Sequence, residues 1–420
     1  MRKELLSILF ICLIIKNSHA QAWEQKADFP GDGRSSVVSF SFPDYGFIGT
    51  GYDGEDFRRS FYAYDPYNDL WTQTESLGGI AGEGLERNVA AAFTIGNKGY
   101  IGTGQSGDPF LNDFWEYNYL TNIWALKASV GGVDRRCAVG FSVNGKGYIG
   151  LGQDESGYKN DLWEYDTLSN TWTQKADFTG TPRRLAIAFV IGAKAYVGTG
   201  DDGGFAKDFY EYNPISNSWF LRNDFDGSPR YGAAGFALNG KGYLACGYDT
   251  TLANVTDFWE YDPSADSWTQ MPDFPGGARA NLTAFVVDTL AFVGMGYDDT
   301  SFRYDIWLWG DTTNIIHEDT TDTNISVINI YTGIDIGIFP NPVINESTIH
   351  IQSDIYFENA ETRVYDLAGN DVTNSCIIDP VSNTGRDITY RLNKYHLPPG
   401  VYQFVFVANK KIATEKFIVF

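Results

Sequence analysis

Six arginines stand where they could act together. Arg34, Arg87, Arg135, Arg183, Arg230 and Arg279 are each followed thirteen residues later by Phe or Tyr, and four residues after that by Gly. A guanidinium grips a carboxylate or sulfate through two parallel N–H bonds. Six of them around one rim would make a clamp for a carboxylated or sulfated sugar. The same six could instead pair with acidic residues of adjacent units. Suitable partners recur: Asp113, Asp161, Asp208, Asp257 and Asp305, with Glu116, Glu164, Glu211 and Glu260 close behind. A role repeated in every unit points to architecture more than to catalysis. Metal-independent sugar chemistry would need an arginine clamp beside a carboxylate acid–base pair, and both residue types are present.

Histidine removes other chemistries. The four are His19, His317, His350 and His396, so none lies among the repeated units. Imidazole is the commonest metal nitrogen donor and the usual acid–base group near neutrality, so neither role is expected there. The Asp-rich stretches Asp53-Gly54, Asp201-Asp202 and Asp298-Asp299 lack the spaced ligand set of a calcium loop. No metal and no cofactor are expected.

The six sets start 53, 48, 48, 47 and 49 residues apart. That period fits one four-stranded sheet per unit. After each Arg runs an apolar stretch such as 89–95. A turn such as Asn144-Gly145 or Asn239-Gly240 follows, a pair that takes φ > 0 at low cost in a two-residue hairpin. The second strand carries Gly-x-Gly, as in Gly102-Thr103-Gly104. A variable Gly- and Asp-rich loop leads to a third strand such as Asp113–Tyr117. Seven residues after its Tyr stands a Trp that opens the fourth strand: Trp71, Trp124, Trp172, Trp219 and Trp268.

These aromatics and glycines, with Tyr64-Asp65-Pro66 and Tyr261-Asp262-Pro263, resemble the kelch repeat over roughly residues 22–310. The glycine doublet of that repeat is spread here into Gly-x-Gly, and Ala245 replaces its first member in the fifth unit. The resemblance implies an all-β, six-bladed β-propeller. Some kelch-fold oxidases hold copper with His and Tyr, which the missing histidines rule out here. Some six-bladed bacterial members act on sialic acid, which keeps a mutarotase-like reading open. The segment Trp23–Phe29 copies the fourth-strand segment Trp172–Phe178 but has no strands before it. The last repeat ends at Trp309 with Ile316 where the next Trp would fall. The N-terminal strand is therefore expected to complete the sixth blade, since an open ring would leave a sticky edge.

Residues 1–20 read as a secretory signal: Arg2-Lys3, the apolar run Leu5–Ile15, and cleavage near Ala20 after Ser18-His19. The run is too short to span a bilayer, and no other segment is apolar enough, so no transmembrane segment is expected in the mature chain. A formal charge of −22 repels phosphate backbones and excludes nucleic acid as partner. Cys137, Cys246 and Cys376 are too few and too scattered to serve as a disulfide framework. They are expected as buried thiols.

Composition changes after Gly310. Residues 311–334 read as a Thr- and Asp-rich linker, and 335–420 as a small β-sandwich with strands near 336–342, 347–351, 362–367, 388–392, 400–407 and 411–420. Phe339-Pro-Asn-Pro342, Val364–Gly369, Leu397–Tyr402 and Lys410–Lys416 resemble, in order, the C-terminal sorting domain of the type IX secretion system. The resemblance implies export through the secretion machinery, and a protein secreted or attached at the outer-membrane surface.

Together these readings point to an exported, non-enzymatic binding protein that presents one loop face to a protein or glycan. A metal-independent sugar enzyme and a structural envelope component are the alternatives. The candidate contacts are the six arginines at the channel mouth and the loop aromatics Tyr52, Phe57, Phe110, Tyr158, Phe205, Tyr248, Tyr297 and Phe302. The step from Trp71 to Arg87 is sixteen residues where the other five are eleven, so an insertion within Gly78–Glu86 lies on the same face.

Overall fold

The computed structural model describes residues 22–79, 84–119, 121–310 and most of 334–419. The signal region 1–20, nearly all of the linker, and residues 80–83 of the inserted loop lie outside the described residues. Among those described there is no α-helix, and no helix is long and apolar enough to cross a membrane.

Residues 22–310 form six four-stranded antiparallel sheets. The second is typical: Ala91–Ile95, Lys98–Gly102, Phe114–Asn118 and Ile123–Lys127, paired in that order. In the sixth sheet Thr283–Val287, Leu290–Gly294 and Ile306–Gly310 are joined by Ala22–Lys26, which pairs Trp23 with Trp309. The hairpins turn as their residues dictate. Asn144, Gly145, Asn239 and Gly240 all have positive φ, the geometry whose twist suits a two-residue hairpin.

Sheet stacks on sheet through one recurrent contact. The inner-strand Phe of one sheet lies against the second-strand glycine of the next. A Cβ on Gly99 would sit 2.6 Å from the Phe40 ring, and one on Gly46 would sit 1.9 Å from Phe285, which joins the sixth sheet to the first. Only glycine leaves room for an aromatic face at that distance. Farther out, aromatic pairs also join neighbouring sheets, for instance Phe114 with Trp172 at 4.9 Å and Phe209 with Trp268 at 5.1 Å.

Two chains of backbone hydrogen bonds run across all six units. The N–H of Ser36 donates to the carbonyl of Asn281, Asn281 to Gly232, Gly232 to Leu185, Leu185 to Cys137, Cys137 to Val89, and Val89 back to Ser36, all at 2.7–3.2 Å. Farther out, the Gly-x-Gly glycine of each unit donates to the next unit's Arg carbonyl: Gly51 to Arg87 at 2.7 Å, and so on to Gly296, which donates to Arg34 at 3.0 Å. At the outer edge the indole N–H of Trp71 reaches the Ala27 carbonyl, and that of Trp23 reaches Pro272. Trp23 thus behaves as a fourth-strand Trp.

The C-terminal region pairs Ile334–Phe339, Glu346–Ser353, Asp387–Asn393 and Ile377–Asn383 in one sheet, and Glu361–Asp366, Gly400–Ala408 and Lys411–Val419 in another. One core joins the sheets, with Ile349, Ile351 and Leu392 from the first and Val364, Phe404 and Phe417 from the second. Strand Ile377–Asn383 was not anticipated. It is an exposed edge strand with Pro380 at an irregularity in its register, so it lacks the apolar alternation that reveals a strand in sequence. Cys137, Cys246 and Cys376 are buried and unpaired.

Trp23 packs on Phe258, Phe274 and Trp309 at 4.9–5.2 Å. Trp23→Ala is expected to lower stability by roughly 3 kcal/mol in a denaturant titration. Removing residues 22–26 should free the edge of Ile306–Gly310 and appear as aggregation in light scattering.

Candidate binding face

The six arginines do not ring an open mouth. Each is sealed, at 0–2% exposure, and the reason lies in where its backbone sits. Arg87 shows the pattern. Its N–H donates to the Arg58 carbonyl, and its carbonyl accepts from Gly51, so the peptide is held on both sides by the preceding unit. Its side chain turns into its own unit. There Nη1 donates to the Thr103 carbonyl at 3.0 Å, and Nη1 and Nη2 donate to both oxygens of Asp113 at 2.6 Å. Trp115 Nε1 donates to the same carboxylate at 2.7 Å. The same fork joins Arg135 to Asp161, Arg183 to Asp208, Arg230 to Asp257 and Arg279 to Asp305.

The acidic partner is thus in the arginine's own unit, not the adjacent one. The backbone makes the link between units. A guanidinium closed off in this way is unavailable to a ligand, which corrects the expectation for Arg34, Arg87, Arg135, Arg183, Arg230 and Arg279 as exposed clamp residues. In four units the guanidinium also lies over a Phe five residues earlier: Phe29, Phe178, Phe225 and Phe274, at 4.9–5.1 Å.

Arg34 is the exception. Ser60 stands where the others have Asp, and Arg34 Nη1 meets its hydroxyl at 3.1 Å. Burial lowers the Arg34 pKa. For Asp161 and Asp305, burial alone would push the carboxyl up. Hydrogen bonds and charge attraction from Arg135 and Arg279, with the indole N–H groups of Trp163 and Trp307, outweigh it and hold both below the ordinary carboxylate range.

The central channel is lined by the inner strands and is narrow. One section of about 260 Å³ is walled by Val38, Ala91, Val139, Ile187, Ala234 and Thr283 among others. A second, of about 160 Å³, is bounded by Ser36, Val89, Cys137, Leu185, Gly232 and Asn281. Among these lining residues the one titratable group is the Cys137 thiol, pushed up to about 11 by burial. The carboxylate acid–base pair that sugar chemistry would need is not in the channel lining.

A variable ring surrounds the mouth. The residue after each repeated Arg is bridged to the residue after each Gly-x-Gly: Ser35 with Tyr52, Asn88 with Gln105, Arg136 with Gln153, Arg184 with Asp201, Tyr231 with Tyr248, and Ala280 with Tyr297. Tyr52, Tyr248 and Tyr297 are half-buried members of this ring. Phe110 and Tyr158 lie just outside it, each under a guanidinium: Arg136 at 4.8 Å and Arg184 at 5.5 Å. Phe205 stacks on Tyr231 at 5.4 Å. Phe57 and Phe302 flank Tyr52.

The sequence reading passed over Arg136, Arg184 and Tyr231. The signal was available: they immediately follow the repeated Arg, at a position that differs between units except for the Arg shared by the third and fourth. The Asp-rich loops have a local role. Asp53, Asp154, Asp201 and Asp298 accept backbone N–H groups two or three residues on, closing tight turns. Among the described residues no group of three His, Cys, Asp or Glu could hold a metal ion.

Two outcomes follow for the arginine forks. Ser60→Asp should give Arg34 the missing partner and raise stability by about 1–3 kcal/mol, read as a higher melting midpoint. Asp161→Asn should cost about 3–5 kcal/mol, because it leaves a buried cation uncompensated. Since Asp161 and Asp305 have lowered folded-state pKa values, their contribution is present above the unfolded carboxylate pKa of about 3.9 and is lost as pH falls through the folded values. A pH titration of stability should therefore fall below about pH 4, and Asp161→Asn should flatten that fall.

Comparison with known families agrees with this geometry. The KLHDC2/KLHL20/DRC7 Kelch-repeats domain matches residues 47–223, and the Secretion system C-terminal sorting domain matches residues 337–420. A search of curated proteins returned no match. The kelch match accounts for the repeated four-stranded sheets as a β-propeller of a kind that binds proteins. The sorting-domain match implies export, surface attachment and contact with the type IX secretion machinery. The chain thus carries a Kelch-repeat domain over residues 47–223 and a type IX secretion sorting domain over residues 337–420.

Proposed function

We propose that this is an exported binding protein of the cell surface or extracellular space, whose propeller holds one loop face toward a protein or glycan ligand. The observation that carries this reading is the contrast between scaffold and rim. The arginine, glycine, aromatic and aspartate positions repeat almost unchanged from unit to unit. The residues bridged around the mouth differ: Ser-Tyr, Asn-Gln, Arg-Gln, Arg-Asp, Tyr-Tyr and Ala-Tyr. A rigid frame with a varied rim is how binding surfaces are built on repeat scaffolds. Tyr52, Phe110, Tyr158, Phe205, Tyr248 and Tyr297 are proposed contacts.

The finer architecture belongs to the same proposal. Residues 21–310 make six blades closed by the N-terminal strand, supported by the two cyclic hydrogen-bond chains and the Trp23–Trp309 pairing. Residues 1–20 are a signal peptide cleaved near Ala20, 311–334 a linker, and 335–420 an Ig-like sorting sandwich. The protein leaves the inner membrane by its signal and the outer membrane by its tail, then stays attached or is released.

Labelled whole protein would be applied to a glycan array and to a peptide array. Binding should fall at least tenfold with Tyr158→Ala and Tyr248→Ala. It should persist with Leu168→Ser and Ile215→Ser, which change exposed turns at the opposite ends of the sheets. Equal binding by all four variants would reject the loop face.

A further inference from the structure

On the mouth of the channel two arginines share one amide oxygen. Arg184 Nε donates to Asp201 at 2.8 Å, and its Nη1 donates to Gln153 Oε1 at 2.7 Å. Arg136 reaches the same Gln153 oxygen from Nε and Nη2 at 3.3 and 3.2 Å, and Gln105 Oε1 from Nη1. Arg136 meets no carboxylate among the described residues. In a chain of net charge −22 a half-buried guanidinium with only amide oxygens around it is an unusual arrangement. One amide oxygen sits between two cations, where a charged oxygen would be held more strongly.

We propose that Arg136 and Arg184 form an anion subsite, and that its ligand is an acidic glycan bearing carboxylate or sulfate. This deepens, and rests on, the reading of the loop face as the binding face. Three features support it. Both guanidiniums are already held against rings, Arg136 over Phe110 and Arg184 over Tyr158, so little side-chain freedom is lost on binding. Their neighbours in sequence, Cys137 and Leu185, line the channel, and both arginines are themselves partly exposed. Beside Asp201, the rings of Phe205, Tyr231 and Tyr248 cluster at 5.4–6.2 Å and offer an apolar face to a pyranose.

The polar groups suit a sugar better than a peptide. Gln105, Gln153, Asp201 and the Tyr158 hydroxyl mix donors and acceptors at close range, as neighbouring hydroxyls require. A peptide strand would need free backbone groups, yet Arg136 with Gln153 and Arg184 with Asp201 already exchange theirs. Asp134 and Glu155 are exposed on the Phe110 side. The glycan therefore runs from Arg136 across Arg184 toward Tyr231 and Tyr248, away from those carboxylates.

The test is calorimetry on the whole protein with four probes: oligogalacturonate, chondroitin sulfate oligosaccharide, neutral maltohexaose and oligoglutamate. At least one acidic oligosaccharide should bind ten or more times tighter than maltohexaose and oligoglutamate. Arg136→Gln should weaken it at least tenfold. Gln153→Glu, which supplies the missing carboxylate between the two arginines, should block it equally while raising the melting midpoint, so loss of fold cannot explain the loss of binding. The proposal is overturned if neither acidic oligosaccharide binds preferentially, if oligoglutamate binds as well, or if Gln153→Glu leaves affinity unchanged. Capture of a neutral glycan or a protein that depends on Tyr158 and Tyr248 would also overturn it, while keeping the loop face as a binding surface.

Discussion

The whole assembly depends on peptide groups of neighbouring repeats bonding to one another in closed cycles. Around the channel, Ser36, Val89, Cys137, Leu185, Gly232 and Asn281 each donate to the unit before, and the bond from Ser36 to Asn281 joins the two ends of the repeated segment. All six residues have positive φ, from 47° at Val89 to 65° at Gly232. That conformation is costly for a β-branched residue, on the order of 1–3 kcal/mol. It persists because every neighbour imposes it: a residue that relaxed would break its own bond and the one it accepts.

The second cycle runs through the repeated arginines and explains their burial. Their carbonyls and N–H groups hold the preceding unit while their side chains hold their own. A flexible loop would otherwise have to satisfy buried polar backbone at each junction. The guanidinium satisfies it, and the aspartate neutralises the guanidinium. In four of the five pairs the indole N–H of the Trp two residues on fixes the aspartate; the fourth unit has Tyr210 there. Arg34, with Ser60 in place of the acid, shows that the hydrogen-bonding geometry survives without the charge pair.

The proposed binding rim is separated from this machinery by a single residue. The repeated Arg is committed to structure, and the residue after it faces the rim. Because the cycles fix the backbone there, the rim side chain can change from Ser to Arg to Tyr without disturbing the frame. The charge imbalance at Arg136 and Arg184 arises on this freedom, on one arc of the ring only.

Much of this could be read from the chain. The period and the Asn-Gly hairpins are local patterns repeated enough times to stand out, and they gave the repeated four-stranded antiparallel sheets. The tail blocks did the same for the sorting domain. The edge strand Ile377–Asn383 escaped because an exposed strand carries no apolar alternation. The fate of the six arginines was decided only by tertiary structure. Sequence shows a guanidinium and an aspartate twenty-six residues apart; it does not show whether solvent reaches them. That depends on how the carbonyls of Leu85 and Thr103 and the Asp113 carboxylate close around the guanidinium, contacts that folding alone brings together.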